Sequence, residues 1–294
     1  MIYIDAEACK ACGICGHVCP RHVIETIEEN GRKRTVVVEE RLDVCMECGQ
    51  CVAVCPNEAV RLEALAFEEF RPLAPVELTG DQFLALLEHR RSVRRYKDKP
   101  VPREVLDRAL EAARLSPTGT GRPATGVLVI NRAEKLEALS GLLYSFYENL
   151  ERALANPVGR FIVKRRAGAR MFRMLQDFVM PGMRWYIKWR REGRSDEIRR
   201  DCPVLVLFHC LESEPSGEEV CVIAAFNTIL AAEVLGLGTC FNSLIPQACN
   251  RSPEIKAFLG LPQDRGVYAS ITLGYPQYKY QRGVPRRLAE VRYL

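Results

Sequence analysis

Eight of the chain's thirteen cysteines fall between residues 9 and 55, in two copies of one pattern. The copies are Cys9-x2-Cys12-x2-Cys15-x3-Cys19-Pro20 and Cys45-x2-Cys48-x2-Cys51-x3-Cys55-Pro56, offset by 36 residues at every cysteine. Each has a glycine after its second cysteine (Gly13, Gly49), where the backbone must pass close to a bulky inorganic core. Three thiolates at i, i+3 and i+6 can wrap one corner of an iron–sulfur cubane. The fourth follows a turn that carries it away, and in runs of this form it ligates the other cluster. The assignment is Cys9, Cys12, Cys15 and Cys55 on one [4Fe–4S] cluster, and Cys45, Cys48, Cys51 and Cys19 on a second. Structural zinc commonly uses two Cys pairs separated by a longer loop, not four thiolates within eleven residues.

A second segment able to do chemistry is Arg90-Arg91-Ser92-Val93-Arg94-Arg95-Tyr96, followed by Lys97 and Lys99. Six positive charges together often form a solvated helix end. They can equally clamp a phosphate, because guanidinium forks pair bidentately with phosphate oxygens and the serine adds a hydroxyl donor.

The elements that would hold these groups divide the 294 residues in three: a small cysteine-rich unit over 1–62, a connecting arm over 63–77 with Pro72 and Pro75, and a larger domain over 78–294. In the first, Asn30-Gly31 between Ile24, Ile27 and Val36-Val37-Val38 signals a hairpin. In the last, Thr79-x-x-Gln82 offers a capping box for a helix whose apolar side is Phe83, Leu84, Leu86 and Leu87. Pro102 suits the first position of a second helix, which stops before Pro117. Residues 127–130, 203–208 and 267–273 are short apolar runs of strand type, and 142–154 and 220–235 are helical patterns. The expected class is α+β, a small sheet packed by many helices.

The cysteine block resembles the bacterial two-cluster ferredoxins over about residues 1–62. Beyond it, Arg90 to Arg94 is followed by Val101-Pro102-Arg103-Glu104-Val105-Leu106, by Ala112 to Thr120 (AARLSPTGT), by Asn227 to Cys240 with Glu233 and Gly236-Leu237-Gly238-Thr239, and by Leu273-Gly274-Tyr275-Pro276 with a basic tail. In that order these resemble the nitroreductase family of FMN flavoproteins across about residues 78–294. The resemblance implies a homodimer with FMN at the subunit interface. It implies that Arg90, Ser92 and Arg94 hold the FMN phosphate with Arg91 nearby, and that Arg286 or Arg287 reaches it from the C-terminal end. Pro117, Thr118 and Thr120 match the family's loop near the isoalloxazine ring, and Gly236-Leu237-Gly238 the turn whose amides face it. Many relatives have Asn-x-Gln where this chain reads Gly121-Arg122-Pro123, and Trp-x-Gly where it reads Phe241-Asn242-Ser243.

Residues 157–200 hold thirteen Lys/Arg against four acids and both tryptophans, Trp185 and Trp189, so the net charge of +5 belongs to this insert and the remainder is net negative. The expectation is a helical excursion that covers the flavin pocket and favours an acidic substrate or donor by steering. Cys202, Cys210, Cys221, Cys240 and Cys249 read as small buried hydrophobes. None of the four histidines falls in a metal spacing, no Gly-x-Ser-x-Gly or P-loop occurs, and no nucleic-acid module accompanies the charge. Lacking an N-terminal apolar segment or a membrane span, the chain reads as cytoplasmic. The functional expectation is an oxidoreductase. Electrons would pass from reduced ferredoxin, flavodoxin or NAD(P)H through two [4Fe–4S] clusters to FMN, which carries the chemistry, and on to a nitro compound, quinone or similar acceptor. The alternatives are an electron-transfer module of a larger complex and a flavin-modifying enzyme.

Overall fold

The computed structural model describes residues 1–119 and 124–294. The chain divides into two compact units. Met1–Glu77, joined by Pro117 to Gly119, forms the first, and Leu78–Ser116 with Ala124–Leu294 forms the second.

The first unit contains β1 (Ile2–Ile4), α1 (Ile14–His17), β2 (Ile24–Glu29), β3 (Arg32–Val37), α2 (Gln50–Ala53) and β4 (Val60–Leu62). Strands β1 and β4 pair antiparallel with Ile2 opposite Leu62, joining the two ends of the cysteine block. Strands β2 and β3 form the expected hairpin. Glu29 faces Arg32 across Asn30 and Gly31, both at positive φ (54° and 71°), as a type I′ turn requires. The sequence repeat recurs in the backbone: φ is positive at Ala11 and Glu47, at Gly13 and Gly49, and at His22 and Glu58. Gly13 and Gly49 cap α1 and α2 from the left-handed region (φ 80° and 73°), which a side chain would disfavour. The core is small, built on Ile2, Val23, Ile24, Val52, Val60 and Leu62, and Leu65, Phe67 and Phe70 pack against it. The segment expected as a connecting arm therefore belongs to the first unit's packing at least to Phe70.

The second unit contains α3 (Gly80–His89), α4 (Arg103–Arg114), β5 (Gly126–Ile130), α5 (Ala133–Ala155), α6 (Pro157–Met174), a π-helical turn (Leu175–Val179), α7 (Met180–Arg191), β6 (Val204–Leu211), α8 (Gly217–Val234), β7 (Gly238–Phe241), α9 (Leu244–Cys249), α10 (Pro253–Phe258) and β8 (Arg265–Gly274). Its sheet runs β5-β6-β8-β7, antiparallel throughout. Side chains alternate across a strand, so β6 serves two cores. Leu205 and Leu207 join α5, α7, α9 and α10 on one face; Val204, Val206 and Phe208 join α4 and α8 on the other.

The capping box of α3 is present: Gln82 N–H donates to Thr79 Oγ1 (3.2 Å) and Thr79 N–H to Gln82 Oε1 (2.9 Å). Its apolar side, however, is not buried, and Phe83 and Leu84 stand exposed. Pro102 precedes α4 as its cap and is not its first residue. Among the described residues no helix is long and apolar enough to cross a membrane.

Candidate cofactor sites

The charges the thiols feel link the two cysteine copies. Burial pushes the Cys15 thiol up, and Cys55 and Cys9 raise it further. Burial pushes Cys51 up to about 11, with Cys48 and Cys19 adding to the rise. The fourth cysteine of each copy thus acts on the third cysteine of the other. A cavity is lined by Cys19, Cys45, Cys48 and Cys51 together. Backbone amides point at the sulfurs: Ala11 to Cys9 (3.4 Å), Val23 to Cys19 (3.4 Å), Glu47 to Cys45 (3.5 Å) and Ala59 to Cys55 (3.3 Å). Such donors favour thiolates. Among the described residues no three Cys, His, Asp or Glu side chains converge closely enough to bind a lone metal ion. Four thiols around one cavity, and in the other set Cys9, Cys15 and Cys55 close enough to feel one another, with amides aimed at sulfur, fit clusters of several irons.

The basic segment lies along the sheet edge. Ser92 bridges Thr239 of β7, Val93 N–H donates to Thr239 O (2.8 Å), and Lys97 N–H donates to Tyr275 O (2.8 Å) just past β8. The Tyr96 hydroxyl donates to Val93 O (2.8 Å) and meets Thr272 Oγ1 (2.6 Å), fixing the turn from inside. A Cβ at Gly238 would come within 2.6 Å of Val93 Cγ2 and 2.9 Å of Pro276, so this close approach requires glycine.

On that edge the arginines separate by role. Burial lowers the Arg90 pKa, and the charges of Arg91 and Arg286 lower it further, against Glu233 and Cys240. The positive field these guanidiniums place on Arg90 suits an anion with several oxygens. Arg286 arrives on the C-terminal tail, where Tyr280 donates to Ser92 O (3.3 Å) and Gly283 lies against Glu88. Arg91 is buried and donates to the Glu88 carbonyl at the end of α3, which ties the basic segment to that helix. Arg94 bonds Ser92 O (3.3 Å), and Arg287 is exposed. Arg95 is drawn elsewhere, onto the buried carboxylate of Glu197 (2.5 Å), which Arg200 (2.6 Å) and Ser195 (2.7 Å) also hold. Sequence reading did not single out Glu233 as a partner of this site. It takes a hydrogen bond with His89 Nδ1 (2.7 Å) beside Arg90, a pairing 144 residues apart with no local signal.

The glycine turn differs from expectation. Gly236 N–H donates to Glu233 O (3.0 Å) and Leu237 N–H to Ala232 O (2.8 Å), the two bonds of a Schellman ending to α8. Those two amides close the helix and are not free to face a ring, while Gly238 pairs with Gly274 in the sheet. Pro117 and Thr118 fall in the first unit; Thr120 and Gly121-Arg122-Pro123 lie outside the described residues. Asn242 is structural: its Nδ2 donates to Ile198 O (2.6 Å) and its Oδ1 accepts from Leu244 N–H (3.0 Å) at the start of α9.

The insert forms α6, the π turn and α7. Gly168 interrupts α6 at φ 78°, ψ 161°. Much of the charge on α7 is neutralised by α5: Arg184 pairs with Glu151 (3.0 Å), Arg191 with Glu148 (3.0 Å) and Arg190 with Glu137. Helix α6 carries Arg160, Lys164, Arg165, Arg166, Arg170 and Arg173, none of them ion-paired among the described residues. All five remaining cysteines are buried.

Residues 1–64 match the 4Fe-4S dicluster domain, and residues 87–275 match the nitroreductase family. An NADH dehydrogenase of Thermus thermophilus is 25% identical over 199 residues, 64% of this chain and 83% of the relative. A nitroreductase with bound FMN from Bacteroides fragilis superposes with a TM-score of 0.53 at 22% identity, over 72% of this chain and 97% of that one. Another nitroreductase with bound FMN, from Desulfitobacterium hafniense, gives 0.52 at 19% identity over the same shares. At such identities these two structures show likeness of fold.

Proposed function

The chain belongs to the nitroreductase family, and on that premise we propose that it is an iron–sulfur flavoprotein oxidoreductase taking electrons from an external donor to a small organic acceptor of the nitro or quinone class. Its cofactors are two [4Fe–4S] clusters and FMN. When bound, the clusters supply single electrons and FMN supplies exchange between one-electron and hydride chemistry. The observation that carries the reading is the positive field at Arg90, set by Arg91 and Arg286 and opposed by Glu233, a field that suits a phosphate.

This chain's own residues then have distinct tasks. Arg90 and Arg286 bind the flavin phosphate, with the Ser92 hydroxyl as a neutral donor and Arg94 at the rim. Arg91 and Tyr96 hold the backbone that carries them. Glu233, bonded to His89, opposes the positive field at Arg90 and keeps its side chain directed. Cys9, Cys12, Cys15 and Cys55 hold one cluster; Cys45, Cys48, Cys51 and Cys19 hold the other.

A second copy of the chain is the proposed occupant of an apolar face on α8 and α3. Val222, Ile223, Phe226 and Val234 are exposed on α8, a helix otherwise buried in the core, and Phe83 and Leu84 are exposed on α3, which buries no residue. An FMN titration of flavin-stripped protein tests the clamp. Arg90→Ala and Arg286→Ala should each weaken binding roughly tenfold or more, since a charge-assisted hydrogen bond contributes about 1.5–3 kcal/mol. Unchanged affinity in both variants would remove the phosphate site from these residues.

A further inference from the structure

The 36-residue repeat allows the two thiolate sets to be compared position by position. Hydrogen bonding is matched. The set around Cys12 receives amides from Ala11 and Ala59, and the set around Cys48 receives them from Glu47 and Val23. The central cysteines match as well: Cys15 is bonded by Gly16 and Cys51 by Val52.

Coverage is not matched. Cys12 is exposed and Cys48 half-buried. Beside Cys12, Gly13 faces only Thr26 of the hairpin, whose Oγ1 would lie 3.4 Å from an added Cβ. Beside Cys48, Gly49 is buried, with Leu65 Cδ1 and Phe70 Cζ at 3.0 and 3.1 Å from the same point. Phe70 in turn stacks on Phe67 (centroids 6.3 Å), and the Arg61 guanidinium lies 3.5 Å from the Phe67 centroid. Cys51 is half-buried where Cys15 is buried, but Cys51 lines the cavity its own set encloses. Charge differs in the same sense. Lys10 stands in the first loop where Met46 occupies the second, while the second cavity is lined by one cation and one anion, Arg21 and Glu47.

We propose that Leu65 and Phe70 form an apolar shield over the second cluster loop, making the two clusters inequivalent, with the Cys45/Cys48/Cys51/Cys19 cluster the lower in potential. Each cluster takes up one electron from an external one-electron reductant, with no bond made or broken, and gains one negative charge. Apolar cover disfavours the more highly charged form, and nearby water and Lys10 favour it. With amide donors equal, solvation decides the order. This inference rests on the two-cluster reading of the cysteines.

The test is an anaerobic, EPR-monitored titration of the full chain with dithionite, after iron and sulfide counts. Two separate waves are expected. Phe70→Ser combined with Leu65→Ser should move the lower wave up and leave the upper one, while Phe70→Leu, which keeps the cover apolar, should leave both. Thr26→Leu, which adds apolar cover to the first loop, should move the upper wave down. A single common wave in the wild type, or a lower wave unmoved in the serine variant, overturns the proposal. If the serine variant does not assemble, the Thr26→Leu result decides alone, and an unmoved upper wave overturns it. Iron well below about eight per chain would overturn the two-cluster reading itself, before any wave is measured.

Discussion

Arg95 shows how one residue can stand inside a motif and outside its function. It sits between Arg94 and Tyr96, yet its guanidinium is bound to Glu197, whose side chain is only 5% exposed. Arg95→Ala should therefore leave FMN affinity unchanged, in contrast to Arg90→Ala and Arg286→Ala. It should lower stability by about 1–3 kcal/mol in a denaturant titration, because a buried carboxylate loses one of its donors. Adjacency could not reveal this, since the deciding partner is 102 residues away. The cysteines proposed as cluster ligands stand out for the opposite reason: the proposal rests on their spacing, which is local. The remaining thiols make a pH-dependent prediction. Burial holds Cys202 and Cys249 up at about 12, against an ordinary 9.0. Unfolded thiols ionise near 9.0 while the folded ones stay neutral, so stability should fall as pH rises from about 9 to about 12, by up to about 1.4 kcal/mol per pH unit for each thiol. Thermal melts across that range would show the slope, and equal stability throughout would mean these thiols are solvated.

The basic insert divides into two different helices. Sequence alone gives its total charge, but which cations are neutralised depends on α5 packing its glutamates against α7. Only α6 keeps an unopposed field among the described residues, so the steering role expected of the whole insert narrows to that helix. Replacing Arg160, Lys164 and Arg165 with Glu should slow reduction by an acidic donor protein on the order of tenfold at low salt. The difference should vanish at high ionic strength, where the Debye length shrinks to about 3 Å. Stopped-flow rates that are the same for both proteins at low salt would contradict the role. Strand β7 escaped sequence reading because its four residues, Gly-Thr-Cys-Phe, are too few to show a period. The Schellman ending of α8 was hidden within a glycine pair that resembles a ligand-facing turn. Helix α8 reads as uniformly apolar, and a pattern without a polar face cannot tell a core from an interface.

For the whole molecule, exposed Phe226 and Val234 on α8 predict association. Phe226→Asp should convert a dimer to monomer in light scattering at micromolar concentration, and a wild-type monomer would leave that face unexplained. The division into two units and the sheet-and-helix class were readable from spacing and periodicity, and the same spacing singled out the eight cysteines proposed as ligands. The distribution of charge between helices and the cover over Gly49 were not, because both arise only when distant segments pack. What unites the molecule is one chain carrying two kinds of redox centre. The direct measurement is iron, acid-labile sulfide and flavin quantified together in protein purified and reconstituted without oxygen. About eight irons, eight sulfides and one FMN per chain are predicted; zinc in place of iron, or a chain that retains no flavin, would contradict the account.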